Sequence, residues 1–337
     1  MNNREQNLNI RSSIIAYIRE FFLGSGFVEV DTPAIQVSSG GDRHVRGLMI
    51  DMHRDFTEEP ITRYLQTSPE FSMKKLLARG YDKIFQICHV FRNGEVGPFH
   101  HPEFTLLEWY REGADYQDIM KDTENLVSTI AHNIPPKTVG FYGDSDNTRK
   151  AWNRLSVVDA FSKYANINIL SMFSEDGTLD TVRFKCEAAR SGVYCSDNDH
   201  WDDIFHRVVL EKIEPKLVGR PPTFFIDFPL PVGALAKRNH LNRKICERAE
   251  LYVCGLEIGN GFSELCDPAE QLERFRIDHE YITKVYGTAP PIDYELIDSL
   301  KSLESAAGMA LGVDRLIMLI SGAKDIKEVL WLPLDLR

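Results

Sequence analysis

The first hydrophobic positions of the chain follow the spacing of a helix. Residues 9–24 carry apolar side chains three and four positions apart, namely Ile10, Ile14, Ile15, Ile18, Phe21 and Phe22. Such spacing is typical of one buried helix face. Gly24 and Gly26 predict the end of this helix, and the following run FVEVDTP alternates as a strand does until Pro33. We therefore predict a helix over 9–24 and then a short strand.

Two alternating runs, KIFQICHVFR and EFTLLEWYRE, predict an antiparallel hairpin. The polar stretch NGEVGPFHHP joins them, and the preceding segment EFSMKKLLARG predicts a helix that opens on Glu70. Side chains two positions apart share a face of a strand. The residues expected on one face of this hairpin are Gln86, Cys88, Val90 and Arg92, with Phe104, Leu106, Glu108 and Tyr110. Any one of these polar residues alone would favour a solvated sheet face, but together they favour a binding site.

Later segments complete an α+β pattern. Residues 136–222 read as a mostly helical insertion, with short amphipathic helices in SVVDAFSKYAN and DDIFHRVVLEKI. Strands return in TFFIDFP, ELYVCGLEIGNGF and SAAGMALGV, and the helix DRLIMLISG follows them. Antiparallel strands with helices beside them indicate an α+β fold rather than a doubly wound sheet. We expect one domain over 1–337 with the insertion at about 136–222.

Composition narrows the class of protein. The chain has 337 residues and a formal charge of −11, from 39 Lys and Arg against 50 Asp and Glu. This composition excludes a disordered, collagen-like or coiled-coil protein, and the acidity argues against a general nucleic-acid binder. No segment approaches the roughly 18 consecutive apolar residues of a membrane span. The six cysteines form no CxxC pair, so we expect free, mostly buried thiols in a reducing cytoplasm.

A second group of polar residues lies in LEIGNGFSELCD, where Asn260 and Glu264 share strand parity. A hairpin near residues 254–255 would bring Glu250 close to Glu257. Carboxylates on neighbouring strands repel each other unless a cation lies between them. Mg²⁺ shared with a phosphate is the natural candidate, whereas a surface coincidence is the plainer interpretation of two glutamates alone.

A third group is the small-residue strand GMALGVDRLIML. Gly308, Ala310 and Gly312 leave room above this strand, and Arg315 follows beside it. The chain has neither GxxxxGK[ST] nor GxGxxG, so the sequence supports neither a P-loop nor a dinucleotide-binding fold.

In chain order, these segments resemble the three signature motifs of class II aminoacyl-tRNA synthetases, and the lysyl-tRNA synthetase catalytic domain in particular. GFVEVDTP resembles motif 1, FRNGE…HHPEFTLLEWY resembles motif 2, and GMALGVDRLIML resembles motif 3. TSPE and EIGNGFSEL resemble the substrate-binding segments of the lysine enzymes. The resemblance implies the class II catalytic fold, an antiparallel sheet flanked by helices, and an enzyme that uses ATP and Mg²⁺.

Motif 1 begins almost at the first residue, whereas lysyl-tRNA synthetases carry an anticodon-binding OB domain before it. The chain is similar in this respect to their stand-alone paralogues, the elongation factor P–(R)-β-lysine ligases. Ala310 agrees, because the synthetases usually have Gly there. The resemblance implies a cytoplasmic ligase that forms AMP and pyrophosphate and transfers lysine or (R)-β-lysine to a lysine side chain of elongation factor P. It also implies a homodimer through residues 9–35, with tRNA and membranes not expected as partners.

The resemblance also implies a role for each site residue. Arg92 and Arg315 are the catalytic candidates, with Arg92 on the α-phosphate of ATP and Arg315 stacked with Phe104 on adenine. The residues implied in ATP binding are Arg92, Asn93, Gly94, Glu95, His101, Phe104, Glu257, Ile258, Gly312 and Arg315. Those implied in amino-acid binding are Ser68, Glu70, Glu108, Tyr110, Asn260, Glu264 and Ala310. Glu250 and Glu257 are the candidate metal ligands.

Motif 2 departs from the family pattern at two positions. Gly94 stands where Glu is expected, with Glu95 after it, and His101 replaces the usual Asn. Three alternatives therefore stay open at this point. They are a minimal lysyl-tRNA synthetase, a catalytically inactive lysine-binding paralogue, and a class II ligase that forms an amide from ammonia. Ala310 and the early motif 1 disfavour a minimal lysyl-tRNA synthetase. The Arg and Glu candidates for phosphate and metal binding disfavour an inactive paralogue. The acidic pocket for a distal ammonium disfavours a ligase that uses ammonia.

Overall fold

A computed structural model describes residues 3–335 except 56, 58, 143–151, 175–176 and 234. The chain divides into two compact units, which we describe separately. The terminal unit consists of residues 1–138 and 264–337, and the central unit of residues 139–263.

The terminal unit combines long helices with two sheets, and its elements are numbered along the whole chain. Its helices are α1 (Asn3–Gly24), α2 (Glu70–Leu77), α3 (Tyr116–Asn133), α7 (Pro268–Tyr286), α8 (Tyr294–Ser299) and α9 (Val313–Ser321). Its strands are β1 (Val28–Glu29), β2 (Ile35–Gln36), β3 (Met49–Met52), β4 (Ile61–Leu65), β5 (Lys83–Phe91), β6 (Glu103–Glu112) and β11 (Ala306–Gly312). Four strands pair in the order β1-β5-β6-β11, antiparallel except for β1 with β5. Strands β2, β4 and β3 form a small antiparallel sheet of their own.

Helix α1 covers one face of the β5–β6 hairpin. Its apolar residues Ile14, Ile18 and Phe22 recur every four positions and are fully buried. The Phe22 ring stacks on Phe85 of β5, with 4.9 Å between ring centroids, and lies 5.2 Å from the Trp109 ring of β6. Since side chains alternate across a strand, the even-numbered residues of β5 and β6 lie on the opposite face.

The central unit contains its own strands and a separate core. Its elements are β7 (Asn153–Ser156), α4 (Val157–Ala160), α5 (Thr181–Arg190), α6 (Trp201–Val208), β8 (Thr223–Pro229), β9 (Ile245–Val253) and β10 (Leu256–Ser263). The strands pair in the order β10-β9-β8-β7, with β7 parallel to β8. π-Helical segments over 161–165 and 209–213 extend α4 and α6. The core between helices and strands is aromatic, with Phe161 stacked on Phe205 and Phe205 on Trp201.

A two-residue turn connects β9 to β10. Cys254 and Gly255 both have positive φ angles, of 54° and 79°. Two successive residues with positive φ are what a tight antiparallel hairpin requires, because such a turn follows the twist of the strands. The turn confirms the predicted hairpin, and a bulge between Glu257 and Gly259 follows it in β10.

The predicted elements agree well with those observed. The α+β class, the first helix, the β5–β6 hairpin, the later strands and the closing helix α9 are confirmed. The region over 136–222 contains the predicted helices together with strand β7, although 143–151 lie outside the described residues. Helices α3, α7 and α8 and the small β2-β4-β3 sheet were not predicted. The single-domain organisation stays a prediction.

Two expectations from composition have mixed outcomes. All six cysteines are free thiols, as predicted, but the expectation that most are buried is wrong. Cys246 is buried, Cys186 is exposed, and the other four are half-buried. No helix within the described part of the chain combines the length and the apolar character that crossing a membrane requires.

Candidate active site

The predicted polar face of the hairpin is present. Gln86 lies opposite Glu108 in the register of β5 and β6, and Ala310 of β11 lies opposite Glu108 on its other side. Gly308 lies opposite Tyr110, and a methyl group on Gly308 would come within 2.2 Å of the Tyr110 ring. The glycine is therefore needed because the tyrosine ring lies directly over the strand.

Three carboxylates of the terminal unit gather on this face. We call Glu70, Glu108 and Glu264, together with Lys74, the acidic box. Glu108 is 1 % exposed, and the hydroxyl of Ser68 donates a hydrogen bond to its Oε1. The phenol of Tyr110 donates to Oε2 of Glu108 over 2.9 Å. The Ser68 hydroxyl also accepts the backbone N–H of Glu70 over 3.0 Å, which fixes the start of α2.

Lys74 is the cation of the acidic box and pairs with two of its carboxylates. Its ammonium lies 2.5 Å from Oε1 of Glu70, one helical turn earlier, and pairs with Oε2 of Glu264. The side chains of Lys74 and Glu264 are 1 % and 0 % exposed. Among the described residues, Oε1 of Glu264 has no hydrogen-bond partner. Sequence reasoning missed Lys74, because its i,i+4 spacing from Glu70 in EFSMKKLL is also typical of exposed helix pairs.

Burial governs the electrostatics of the acidic box. Burial, with the neighbouring charge of Glu70, raises the pKa of Glu108 to about 7, against the opposing hydrogen bonds of Ser68 and Tyr110 and the charge of Arg92. Burial also raises the pKa of Glu264 to about 8, although the Lys74 ammonium opposes this. Since an opposite charge favours the ionised form of a carboxyl group, an ammonium that enters here would lower both pKa values.

Arg92 borders the acidic box at the end of β5. Its guanidinium lies 5.1 Å from the centre of the Phe104 ring, and its charge acts on the carboxyl group of Glu108. Nε lies 3.5 Å from the carbonyl oxygen of Thr67, and Nη1 lies 3.8 Å from Oε1 of Glu95. A cation and an acidic group for an ammonium therefore lie side by side within one unit.

The loop after Arg92 accounts for one departure from the motif 2 pattern. Gly94 has a φ of 84°, a left-handed conformation that a glutamate would adopt only with strain. This loop conformation favours glycine at 94, and the neighbouring carboxylate is Glu95. The backbone N–H of Asn93 donates to the carbonyl oxygen of Arg46 over 2.7 Å, which holds the loop in place.

The second departure, His101, is buried. Its Nδ1 lies 2.5 Å from the carbonyl oxygen of Glu103, and its Nε2 accepts the backbone N–H of Leu334 over 3.2 Å. A ring protonated on Nδ1 satisfies both contacts. The ring thus ties the loop to the C-terminal segment, and its predicted contact with ATP has no support from these bonds.

Arg315 lies beside the same loop. Its Nε donates to the carbonyl oxygen of Phe99 over 3.2 Å, and Nη2 lies 2.7 Å from Nε2 of His100. These contacts bring Arg315 to the motif 2 loop but do not join it to Phe104. The predicted stack of both residues on adenine therefore stays a prediction.

A buried hydrogen-bond network holds the chain neighbours of Phe104 and Arg315, and sequence reasoning missed it. Arg11 of α1 pairs with Asp314, and its Nη2 donates to the Thr105 hydroxyl over 2.6 Å. Asp314 also accepts the backbone N–H of Thr105 over 2.6 Å. Thr105 and Asp314 are the chain neighbours of Phe104 and Arg315, so Arg11 of α1 helps to fix both. A basic residue on the buried face of α1 was the available signal.

The central unit contains a second carboxylate cluster. Glu257 lies opposite Tyr252, two positions from Glu250, in the register of the hairpin, so the predicted proximity of the two glutamates is confirmed, and the charge of Glu257 acts on Glu250. Oε1 of Glu250 lies 2.6 Å from Nη2 of Arg248, and Oε2 accepts from the Tyr252 phenol over 3.1 Å. Burial raises the pKa of Glu250 to about 7, against the charge of Arg248. Asn260 lies opposite Glu250, and its amide oxygen accepts from Nε of Arg248 over 3.0 Å.

The carboxylates around Glu250 offer part of a ligand set for Mg²⁺. Within the described part of the chain, no group of three or more His, Cys, Asp or Glu side chains is arranged for a metal. Mg²⁺, however, usually takes one or two carboxylates and completes its shell with water and substrate phosphates. Each oxygen of Glu250 accepts a hydrogen bond from a neighbouring side chain, and a carboxylate oxygen has a second lone pair that a metal ion can use.

The remaining predicted residues occupy consistent positions. Ile258 is buried in β10, and Ala310 is half-buried in β11. Gly312 is the N-cap residue of α9, directly before the turn that carries Arg315. The structure thus gathers Ser68, Glu70, Arg92, Glu108, Tyr110 and Glu264 in the terminal unit, and Glu250, Glu257 and Asn260 in the central unit.

Comparison with known proteins identifies the family. The family described as tRNA synthetases class II (D, K and N) matches residues 1–336. The lysine–tRNA ligase of Mannheimia succiniciproducens is 36 % identical over 96 % of this chain, which covers 63 % of that relative. The elongation factor P–(R)-β-lysine ligases of Haemophilus ducreyi and Vibrio atlanticus are 34 % and 35 % identical, over 96 % and 97 % of this chain.

The extent of these matches differs. The chain spans 62–64 % of the length of the lysine–tRNA ligases it matches, whereas it covers 93 % and 95 % of the two elongation factor P ligases. The chain therefore belongs to the class II tRNA synthetases (D, K and N), in one family with these lysine–tRNA ligases and elongation factor P–(R)-β-lysine ligases.

Proposed function

We propose that the protein is an ATP-dependent ligase that activates lysine or (R)-β-lysine and transfers it to a lysine side chain of elongation factor P. The observation that carries the proposal is the acidic box beside Arg92. Two relatives that this chain covers over more than nine tenths of their length are named for this reaction.

The amino acid binds through its ammonium groups. Glu108 and Glu264, with Tyr110, receive the distal ammonium, and Ser68 and Glu70 receive the other amine. Ala310 of β11 adds to the proposed amino-acid site of the terminal unit, and Asn260 of the central unit keeps its predicted role in amino-acid binding. Buried carboxylates left without a cation are costly, so an uncharged analogue binds poorly. Ala310 lies opposite Glu108 in the sheet, where its methyl group is placed to favour a β-amino acid.

In the first step, a carboxylate oxygen of the amino acid attacks the α-phosphorus of ATP. The bond from that phosphorus to the bridging oxygen breaks, and pyrophosphate leaves. Arg92 holds the α-phosphate and offsets the charge that develops on its oxygens. Adenine lies between Phe104 and Arg315, with contacts from Asn93, Gly94, Glu95 and Gly312, and Ile258 of the central unit keeps its predicted role in ATP binding. Glu250 and Glu257 would hold Mg²⁺, which supplies positive charge to the phosphates.

In the second step, a neutral lysine amine of elongation factor P attacks the carbonyl carbon of the adenylate. The carbon–oxygen bond to AMP breaks, an amide forms, and the amine gives up one proton. We place this reaction in the cytoplasm, in keeping with the free thiols, and in one catalytic domain formed by the whole chain.

We also propose a homodimer through residues 9–35. The side chains of Leu23, Val28 and Ile35 are 54 %, 50 % and 44 % exposed, which leaves apolar surface along this segment. Sedimentation measurements should give twice the chain mass, and charged substitutions at Val28 and Ile35 should give a monomer.

The test of the function is ATP–pyrophosphate exchange with L-lysine and with (R)-β-lysine, followed by mass spectrometry of elongation factor P and an acylation assay on tRNA. We expect exchange with at least one amino acid and a mass increase on elongation factor P. Arg92→Ala should lose a factor of about 10² to 10³ in exchange rate, whereas the control Arg79→Ala, at an exposed pair with Glu295, should not. Acylation of tRNA instead would indicate a lysyl-tRNA synthetase, and no exchange would indicate an inactive binding module.

A further inference from the structure

Lys74 is an unusual residue to find at full burial. It lies in α2, one turn after Glu70, and its side chain is 1 % exposed. Its neighbour Lys75 instead pairs with Asp293 and with the exposed Glu295, at 2.8 and 3.0 Å. Lysine is almost never fully buried unless it is paired. The burial of Lys74 therefore needs a reason beyond helix formation.

Lys74 is charged in this site. Burial alone would lower its pKa, but the carboxylates of Glu264 and Glu70 more than offset this and raise the pKa above the ordinary lysine value. The ammonium therefore remains protonated throughout the physiological range. Among the described residues, Lys74 is the cation that contacts carboxylates of the acidic box directly.

Among the contacts of the described residues, the charges of the acidic box do not balance. Three carboxylates face one ammonium, and Glu108 accepts hydrogen bonds from the neutral donors Ser68 and Tyr110. Burial raises the pKa of Tyr110 far above its ordinary value, and burial with the charge of Glu108 raises that of Cys88 to about 12. Both groups therefore stay neutral. Arg92 acts on Glu108 from the edge of the box and, in the proposed function, pairs with phosphate.

A purely structural ion pair would not leave this imbalance. A buried pair that served stability alone could be replaced by apolar residues at little cost, and it would not need further carboxylates beside it. When entering ammonium groups lower the pKa values of Glu108 and Glu264 and all three carboxylates are ionised, Lys74 leaves two negative charges. Oε1 of Glu264, buried and without a hydrogen-bond partner among the described residues, is placed to receive an external donor.

We propose that Lys74 is a positioning residue that sets the acidic box to two negative charges, the complement of a substrate with two ammonium groups. It holds the carboxylates of Glu70 and Glu264 apart and in place without using up their capacity for the ligand. This inference rests on the proposed function, because it assigns the two remaining charges to the two amines of lysine or β-lysine.

The test replaces the charge of Lys74 and measures the pH dependence of kcat/KM for lysine, at saturating ATP. In Lys74→Met the three carboxylates have no internal cation, so they retain a proton to higher pH. We expect the rising limb of the profile to move up by at least one pH unit, with the KM for ATP changed less than twofold. Lys75→Met is the matched control, and its profile should follow that of the unsubstituted protein.

A double variant separates charge balance from structural support. Lys74→Met with Glu70→Gln removes one carboxylate together with the cation and leaves two negative charges. It should return the pH profile to within about 0.3 pH of the unsubstituted protein, even if the KM for lysine stays raised. The inference is wrong if the single variant keeps the original pH profile although a thermal unfolding transition shows that it is folded. It is equally wrong if the double variant stays as shifted as the single.

A measurement on the unsubstituted protein decides the question if either variant does not fold. Cadaverine carries two ammonium groups and n-pentylamine carries one. A box with two negative charges should bind cadaverine at least tenfold more tightly as a competitor of lysine, and equal inhibition would contradict the inference. Failure of the proposed function would differ from all these results, since the unsubstituted protein would then show no lysine-dependent exchange.

Discussion

Glu264 of the terminal unit and Glu250 of the central unit are both buried, and each lies beside a cation of its own unit. The partner of Glu264 is the ammonium of Lys74, which is itself 1 % exposed, whereas the partner of Glu250 is the guanidinium of Arg248, whose side chain is 15 % exposed. Burial raises both carboxyl pKa values, to about 8 and about 7. The two clusters differ in what surrounds the carboxylate.

Glu264 shares one ammonium, that of Lys74, with Glu70, while the two oxygens of Glu250 accept hydrogen bonds from the guanidinium of Arg248 and the phenol of Tyr252, with the charges of Glu257 and Glu214 nearby. In the proposed function, the first arrangement binds the ammonium groups of the substrate, and the second binds Mg²⁺ through Glu250 and Glu257. Under that proposal, similar burial and similarly raised pKa values accompany different ligands, and the distinction lies in the kind of neighbouring groups.

The substitution Glu264→Gln should distinguish the roles of the two clusters most clearly. It removes a carboxylate that is paired with Lys74 and proposed to bind the substrate, and truncating one partner of a buried charge pair costs about 2–5 kcal/mol. We expect kcat/KM for lysine to fall by about 10²-fold or more, and the KM for ATP to stay within twofold, in exchange assays that vary each substrate in turn. Glu273→Gln, at an exposed position of α7, is the control. Equal changes in both KM values would show that the box is not an amine site.

Glu250→Gln should give the complementary result. The variant loses one proposed ligand of Mg²⁺, so the Mg²⁺ concentration for half-maximal exchange should rise about tenfold, the lower end of the range for a weakened metal site. The KM for lysine should not change by more than twofold. Glu187→Gln, at a surface pair with Arg190, provides the control. An unchanged Mg²⁺ requirement would remove Glu250 from the proposed metal site.

The pH dependence of lysine binding should reflect the carboxylates of the acidic box. The pKa values of Glu108 and Glu264 are raised from 4.5 to about 7 and about 8. Their protonated forms therefore stabilise the empty protein at low pH, and this contribution is lost as pH rises through 7 and 8. The lysine ammonium favours the ionised carboxylates. At pH values below the pKa of a carboxyl group, the ionised fraction of that group grows about tenfold per pH unit. We therefore expect kcat/KM for lysine to rise by at least about tenfold between about pH 6 and about pH 8. A flat profile at saturating ATP would contradict the assignment.

The smallest expected effect is at Ala310. Ala310→Gly removes a methyl group opposite Glu108, and a methylene-sized change in a pocket is worth about 1–3 kcal/mol. The ratio of exchange rates with L-lysine and (R)-β-lysine should move toward L-lysine by about tenfold. Ala307→Gly, on the other face of β11, should leave the ratio unchanged. A ratio that does not move would exclude Ala310 as a specificity residue.

Much of the acidic box could be predicted because strand parity is a local property. The alternation in KIFQICHVFR and FTLLEWY fixes which side chains share a face, and the observed register places Gln86 against Glu108. Helix α3 also carried a local signal, since Asp115 and Asp118 form a capping box at its start. The helix was nevertheless not predicted.

The role of Lys74 could not be predicted from local pattern. Lys74 lies one helical turn after Glu70, but the burial of its ammonium follows from the position of Glu264, which is distant in sequence, whereas Lys75 pairs with Asp293. The Arg11 network likewise depends on Asp314, at the other end of the chain. Contacts of this kind follow from the tertiary fold, which no periodicity records.

The central claim is that the acidic box binds the distal ammonium of a diamino acid. The most direct test compares ATP–pyrophosphate exchange driven by L-lysine with exchange driven by L-norleucine, which has no distal ammonium. A site built around buried carboxylates should disfavour norleucine by at least about 10³-fold in kcat/KM. Exchange with norleucine within tenfold of that with lysine would contradict the claim.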